Sequence, residues 1–184
     1  AKELPTTDPF LKGLHEYLIK YSYKNSSASA LWDSIGTSSD IDLIPLMNEW
    51  TLKDGYPLVT VSVDGKGNVK LQQQRFSASE EILCDTDNVW WIPAAYIRSD
   101  SATQIKWGEL NSCQSIRPLA TIGKTGWIKV NARQYGYYRV NYSPQLWSQL
   151  HTAVQQYDAN GYPVIGGVDT AGLIEDSFHV AGHG

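Results

Sequence analysis

The chain has 184 residues, a net charge of −4 and a pI near 5.5, a length that predicts one domain, or one domain with part of a second. Its 42% apolar and 11% aromatic content reads as globular rather than disordered. The acidic balance argues against a nucleic-acid partner, which would meet a basic face. No apolar run approaches the ~20 residues of a membrane span, and the opening AKELPTTDPF lacks the basic and apolar regions of a signal peptide. The first residue is Ala and not Met, from which a piece of a longer protein is expected.

The first 50 residues read as helices. Phe10, Leu14, Tyr17, Leu18 and Tyr21 recur at helical spacing. Asp8 before Pro9 is an N-cap followed by proline at the first helical position. Leu31, Trp32 and Ile35 indicate a second, short helix. Leu43, Leu46, Met47 and Trp50 form one face of a third, with Asp42 as its cap and Pro45 in its first turn, where a missing N–H costs nothing. Gly55 and Tyr56-Pro57 stop it.

At Pro57 the period changes to two. Val59, Val61 and Val63 alternate with polar neighbours, DGKGN (64–68) is a hairpin turn, and Val69, Leu71 and Gln73 continue on the return strand. NVWWIPAAYIR (88–98) is a further strand, and its Pro93, unable to donate to a ladder, predicts an edge or bulged position. ATQIKWGEL (102–110) follows, alternating at Ile105 and Trp107. The stretch 126–142 reads as a final hairpin. Ile128 and Val130 share one face of its outgoing strand, Tyr138, Val140 and Tyr142 share one face of the return, and Gly136 sits at the turn, free to take positive φ. Ser143-Pro144 starts a helix whose apolar face is Leu146, Trp147, Leu150, Val154 and Tyr157. DANGYP (158–163) ends it, and another helix begins beyond 167. Seven or eight strands at spacings near ten residues predict a mainly β fold. The expected architecture is an immunoglobulin- or fibronectin-III-like β-sandwich flanked by helices at both ends.

Cys84 and Cys113 do not make a disulfide framework; they either pair or stay as two buried thiols. Two sequons, Asn25-Ser26-Ser27 and Asn141-Tyr142-Ser143, are candidate N-glycosylation sites if the chain is secreted, and Pro144 after the second makes Asn25 the better one.

Candidate chemistry is sparse. HEYLI (15–19) invites comparison with HExxH, but position 19 is Ile, so one zinc ligand is missing, and His15 and Glu16 read as the solvated side of a helix. HVAGH (179–183) carries histidines at i and i+4 with Val180 where a general base would stand; it reads as a surface pair. Asp40 and Asp42, Asp85 and Asp87, and Glu175 and Asp176 are paired carboxylates that fit caps, turns or an exposed helix face, with no neighbouring nucleophile. Ser143 is in no G-x-S-x-G elbow. Arg139, a charge within an aromatic strand, reads as snorkelling from the sandwich or paired beside it. Catalytic, cofactor-binding and metal residues are therefore expected to be none.

GWIKVNARQYGYYRVNY (126–142) resembles the final hairpin of the β-sandwich domain of zinc aminopeptidases of the aminopeptidase N family. Other stretches resemble that family in the same order. LKGLHEYLIKYSYKNSSASALWDSI (11–35) is similar to the end of its catalytic domain, and LMNEWTLKDGYPLVTV (46–61) to the passage into the sandwich. WWIPAAY (90–96) is similar to a middle strand, and YPVIGGVDTAGLIEDSFHVA (162–181) to the start of the C-terminal helical domain. Thr170, where relatives usually carry Arg, and the glycines at 166–167 depart from the pattern. The resemblance implies three regions: 1–55 as the helical end of the catalytic domain, 56–142 as the sandwich, and 143–184 as the start of the C-terminal helices. It implies a parent enzyme that uses one zinc to remove N-terminal residues from peptides. The HExxH, the later Glu and the G-x-M-E-N element of that enzyme have no counterpart here, so this section would bind no zinc and act as a spacer or hinge. Its partner would be the remainder of the aminopeptidase chain, with peptide substrates only in the parent and no nucleic acid. GYYRVNY is closer to the ecto-enzyme branch, which implies an extracellular, cell-surface or secretory location, with the cytoplasm as alternative. A stand-alone recognition or adhesion module, or a receptor or antigen fragment, is the competing reading. Apolar helices at both ends count against it. On the fragment reading, the helix beyond 167 lacks its bundle and leaves Ile174 and Phe178 uncovered.

Overall fold

The computed structural model describes residues 7–77, 84 and 87–181, which divide into two compact units, the first ending at Lys53 and the second beginning at Asp54.

The first unit is three helices, α1 (Pro9–Lys20), α2 (Ala28–Ser39) and α3 (Leu43–Thr51). Asp8 caps α1 as expected: its Oδ1 accepts from the N–H groups of Phe10 (2.9 Å) and Leu11 (3.4 Å), which would otherwise lack a partner in the first turn. Ser27 caps α2, accepting from Ala30 N at 3.2 Å. Asp42 holds the N-cap position of α3 without a side-chain bond. α1 meets α2 at Gly13, its one buried residue, directly over the backbone of Ile35. The expected apolar stripe of α1 is largely uncovered, with Phe10 52% and Leu18 59% exposed.

The second unit carries seven strands: β1 (Pro57–Val63), β2 (Asn68–Arg75), β3 (Ile92–Arg98), β4 (Lys106–Leu110), β5 (Ala120–Thr121), β6 (Ile128–Val130) and β7 (Arg139–Tyr142). They form a four-stranded sheet in the order β5-β2-β1-β7 and a three-stranded sheet in the order β4-β3-β6. Helices α4 (Pro144–Val154) and α5 (Gly167–Ala181) follow. Helix exceeds strand over the described residues, so the fold is mixed α/β and the mainly β expectation is corrected. The two sheets are there, but five helices accompany them.

β1 and β2 form the expected antiparallel hairpin, from Pro57 opposite Arg75 to Val63 opposite Val69. Its turn is built by Asp64, whose carboxylate accepts from the N–H groups of Lys66 and Asn68, both at 2.9 Å, and from Asn68 Nδ2 at 3.0 Å. Gly67 is required twice over: its φ is +84°, and a Cβ there would overlap the Ile122 carbonyl. Val59, Val61, Val69 and Leu71 line the core. Gln73 enters it as a fully buried polar residue and is satisfied, donating to the carbonyls of Trp90 (2.8 Å) and Ser112 (3.0 Å) and accepting from Trp90 N (2.9 Å).

Five expectations in this unit change. The stretch 126–142 is not a hairpin. β6 pairs antiparallel with β3 in one sheet, whereas β7 pairs parallel with β1 in the other, so the chain arches from sheet to sheet. The expected faces hold, since Ile128, Val130, Tyr138, Val140 and Tyr142 are all buried, but the two strands are not bonded as neighbours. The bend comes from Asn131, Arg133 and Gln134, all with positive φ, and not from Gly136, whose φ is not positive. Asn131 holds it together, donating from Nδ2 to the carbonyls of Gly136 (3.0 Å) and Tyr138 (3.1 Å) and accepting Gly136 N at 2.8 Å. Gly136 is needed for space, because a Cβ would overlap the Tyr138 ring. Pro93 is likewise not on an edge strand: β3 is central, but β6 covers it only from Tyr96 to Arg98, so Pro93 has one strand neighbour. Trp107 turns outward at 58% exposure, and Tyr157 lies beyond the end of α4.

Cys84 and Cys113 form a disulfide, tying the segment before β3 to the one after β4.

Candidate functional site

The most unusual chemistry of the second unit lies where α5 covers β6, β7 and the arch. Lys129 stands between Ile128 and Val130, so strand alternation aims it away from the core the two sheets share. There α5 covers it, leaving Lys129 only 1% exposed. Its Nζ donates to the Asn131 carbonyl and pairs with Asp169 Oδ1 at 3.0 Å. Burial pulls the lysine's pKa down, and the Asp169 carboxylate pulls it part of the way back. Asp169 also accepts the Arg133 N–H at 2.7 Å, so one carboxylate joins helix, strand and arch.

One turn or two further along α5, Glu175 and Asp176 meet Arg139 of β7, at 2.9 and 3.5 Å. Burial disfavours the guanidinium charge, but hydrogen bonds to Glu175 and Tyr56 and the nearby carboxylates more than offset it, so its pKa rises. Asp176 is pushed up to about 6, because burial outweighs the attraction of Arg139 and Lys129. Burial likewise raises the Tyr138 and Tyr142 phenols. The Tyr142 hydroxyl accepts from Val130 N (3.0 Å) and donates to Val130 O (3.3 Å), bridging β7 to β6 across the core. His179 donates from Nδ1 to the Glu175 carbonyl at 2.8 Å, leaving Nε2 to accept from Arg139 Nη2 at 3.4 Å.

These groups border a cleft of about 340 Å³ whose walls include Tyr56, Tyr135, Tyr137, Tyr138, Glu175 and Asp176. It contains carboxylates, a guanidinium and phenols. No Ser, Thr or Cys is among the described residues that line it.

Of the residues singled out by sequence, Asn25 is exposed in the link between α1 and α2. Asn141 is half-buried on β7, its Oδ1 accepting from Tyr142 N (2.8 Å) and Trp147 Nε1 (3.2 Å). His15 lies on α1, and His183 and Asp85 fall outside the described residues. Arg139 is paired beside the sandwich, one of the two readings its position allowed. Asp176 is not on an exposed helix face: it is 7% exposed and ion-paired. Sequence reasoning missed Lys129 and Asp169. The available signal was a lysine alternating against two core residues, with Asp169 and Asp176 seven apart on one face of a later helix. Among the described residues no group of three His, Cys, Asp or Glu is placed to hold a metal ion, so these side chains do not fit a zinc site.

No family model matches the chain. Individual proteins do. It is 30% identical over 207 residues to endoplasmic reticulum aminopeptidase 1 of Rattus norvegicus, covering 97% of this chain and 21% of that protein. It is 30% identical over 191 residues to aminopeptidase N of Homo sapiens, covering 95% and 18%. It is 29% identical over 175 residues to mitochondrial aminopeptidase 2 of Saccharomyces cerevisiae, covering 92% and 16%. The chain thus spans about a fifth of the length of these curated relatives. The similarity is spread over nearly the whole chain and all three relatives are named aminopeptidases, so the chain belongs to the aminopeptidase N family.

Proposed function

We propose that this chain is a non-catalytic spacer and hinge section of a longer zinc aminopeptidase that removes N-terminal residues from peptides. The observation that carries the reading is the match to named aminopeptidases over 95–97% of this chain but only about a fifth of theirs. On this reading, residues 1–55 end the catalytic domain, 56–142 are the sandwich and 143–184 open the C-terminal helical domain. The zinc and the peptide site belong to the rest of the longer chain, which is also this section's partner. The arch and its ion pairs support a mechanical role, since they tie α5 to both sheets through Lys129 and Arg139. No described helix is long and apolar enough to cross a membrane.

The location we favour is the cell surface or a secretory compartment. The Cys84–Cys113 disulfide supports an oxidising environment, and the exposed Asn25 is accessible to glycosylation. Named relatives include both an endoplasmic reticulum and a mitochondrial aminopeptidase.

The test is hydrolysis of aminoacyl amides by the purified 184-residue chain with added zinc. The expected result is no turnover. Chelator-sensitive release of amino acids by the chain alone would overturn the proposal.

A further inference from the structure

The link between α4 and α5 closes on itself. Val164 N donates to the Gln156 carbonyl at 3.0 Å, Tyr157 and Pro163 form an antiparallel bridge, and Asp158 N donates to the Tyr162 carbonyl at 2.8 Å. Inside these rungs the Gly161 N–H donates to the Asp158 carbonyl at 3.0 Å, and Gly161 has a φ of +81°. The loop is thus a short hairpin turn followed by a left-handed residue, a position that favours glycine. The Asp158 carboxylate braces it, accepting from Asn160 N at 2.8 Å and Tyr162 N at 2.9 Å. Asn160 therefore stands directly before that glycine, at the exposed tip.

Asn160-Gly161 is the sole Asn-Gly pair in the chain. Gly161 has no Cβ to obstruct its nitrogen, and open space lies where a Cβ would be. The Asn160 side-chain amide makes no hydrogen bond among the described residues. Asn68, Asn131 and Asn141 differ on both counts. Each precedes a residue with a Cβ, and each has its amide bonded: Asn68 to Asp64, Asn131 to two carbonyls, Asn141 to Tyr142 N and Trp147 Nε1. The bond from Gly161 N–H to Asp158 resists reaction at Asn160, but it lies at an exposed loop tip, where local opening costs little.

We infer that Asn160 is a site of spontaneous deamidation and isoaspartate formation, with water as the only co-reactant. The Gly161 nitrogen, on losing its proton, attacks Asn160 Cγ. The new N–Cγ bond replaces the Cγ–Nδ2 bond, and Nδ2 leaves as ammonia, carrying that proton. Water then opens the cyclic imide. Opening at Cγ gives aspartate. Opening at the main-chain carbonyl gives isoaspartate, whose main chain runs through Cβ and Cγ. Both products put a second carboxylate near Asp158, one charge beyond the net −4. Isoaspartate also adds a methylene to the main chain, so the Asp158–Tyr162 and Gln156–Val164 rungs no longer fit together. Those rungs lead into buried Ile165 and the start of α5, so this product loosens the link between the two helices. The inference does not depend on the peptidase reading, because it uses only the loop's own atoms.

The experiment incubates the purified chain at mildly alkaline pH, with the same chain in urea as the unfolded reference. Peptide mapping by mass spectrometry and isoaspartyl methyltransferase labelling read the products. The expected result is conversion of Asn160 in the folded chain ahead of every other asparagine, faster as pH rises, with isoaspartate among the products. Asn160→Gln, whose longer amide would have to close a larger ring, should lose the signal. Amide exchange separates the two consequences. In the isoaspartate form the Tyr162 and Val164 N–H groups should exchange faster, with β1 and β2 unchanged. Asn160→Asp, which adds only the charge, should keep both protected. No conversion of Asn160 in the folded chain, whether or not urea permits it, would overturn the proposal. So would earlier loss at another asparagine, or unaltered exchange at Val164 in the isoaspartate form.

Discussion

The β1–β2 hairpin and the β6–β7 arch look alike in sequence and differ in space. Both are pairs of alternating runs separated by a short polar link containing glycine. In the hairpin the link closes on itself through Asp64, and the strands become bonded neighbours. In the arch three residues with positive φ turn the chain out of its sheet, and the strands join different partners. Alternation specifies which side chains face the core. It does not specify which strand lies alongside, because opposed sheets need the same inward residues as paired strands.

The two links also store their polar groups differently. The hairpin turn is exposed and satisfied by its own backbone, whereas the arch buries Lys129 and Asn131 and depends on α5 for a counter-charge. The largest expected effect tests that dependence. Lys129→Ala leaves Asp169 buried without its ion pair and should cost about 3–5 kcal/mol, read as a lower urea midpoint. Lys129→Met combined with Asp169→Leu should recover most of that loss. A single substitution with an unchanged midpoint would mean that the arch does not need its charge pair.

The next test separates the two carboxylates by the sign of their pH dependence. Burial raises the folded pKa of Asp176 to about 6 from the ordinary carboxylate value of 3.8. The folded state therefore holds its proton more tightly, and stability falls as pH rises through that window, by about 3 kcal/mol in all. Asp64 runs the other way. Hydrogen bonds from Asn68 hold its pKa below the usual value, so its contribution is present above the ordinary carboxylate range and is lost as pH falls through the folded pKa. Urea unfolding of wild type and Asp176→Asn across the acid range should show a difference that shrinks toward low pH. A difference constant with pH would remove Asp176 from the account.

A smaller effect probes the link across the core. Tyr142→Phe removes the bridge to both backbone groups of Val130 and should cost about 1–3 kcal/mol, with slope unchanged in urea. No loss would mean that packing alone holds the arch closed. The smallest effect belongs to the hairpin. Asp64→Asn should barely move the neutral-pH midpoint and should flatten the acid limb, because the turn is local and solvated. An effect as large as that of Lys129→Ala would erase the contrast between the two links.

Helix α5 tempers one expectation from sequence. Ile174 and Phe178 are indeed exposed, at 56% and 78%. The same helix nevertheless finds partners in this chain on its charged side, through Asp169, Glu175 and Asp176. An apolar pattern marks what a helix leaves uncovered, but the polar positions here do the docking, and no periodicity distinguishes a solvated carboxylate from one facing a buried lysine.

What the sequence by itself determined is local. Asp8-Pro9 starts α1, Ser143-Pro144 starts α4, and Asp64 to Asn68 makes a hairpin turn. The inward faces of β1, β2, β6 and β7 were also legible, since caps, turns and pleat act over a few residues. The order of family-like stretches likewise needed no coordinates. Tertiary structure decided that β7 lies parallel beside β1, that β3 is central despite Pro93, and that Cys84 and Cys113 pair. It also decided that Lys129 and Asp176 are buried charges. Each of these depends on a partner far along the chain, and the free energy of burying a charge or choosing a neighbouring strand is set only when that partner arrives.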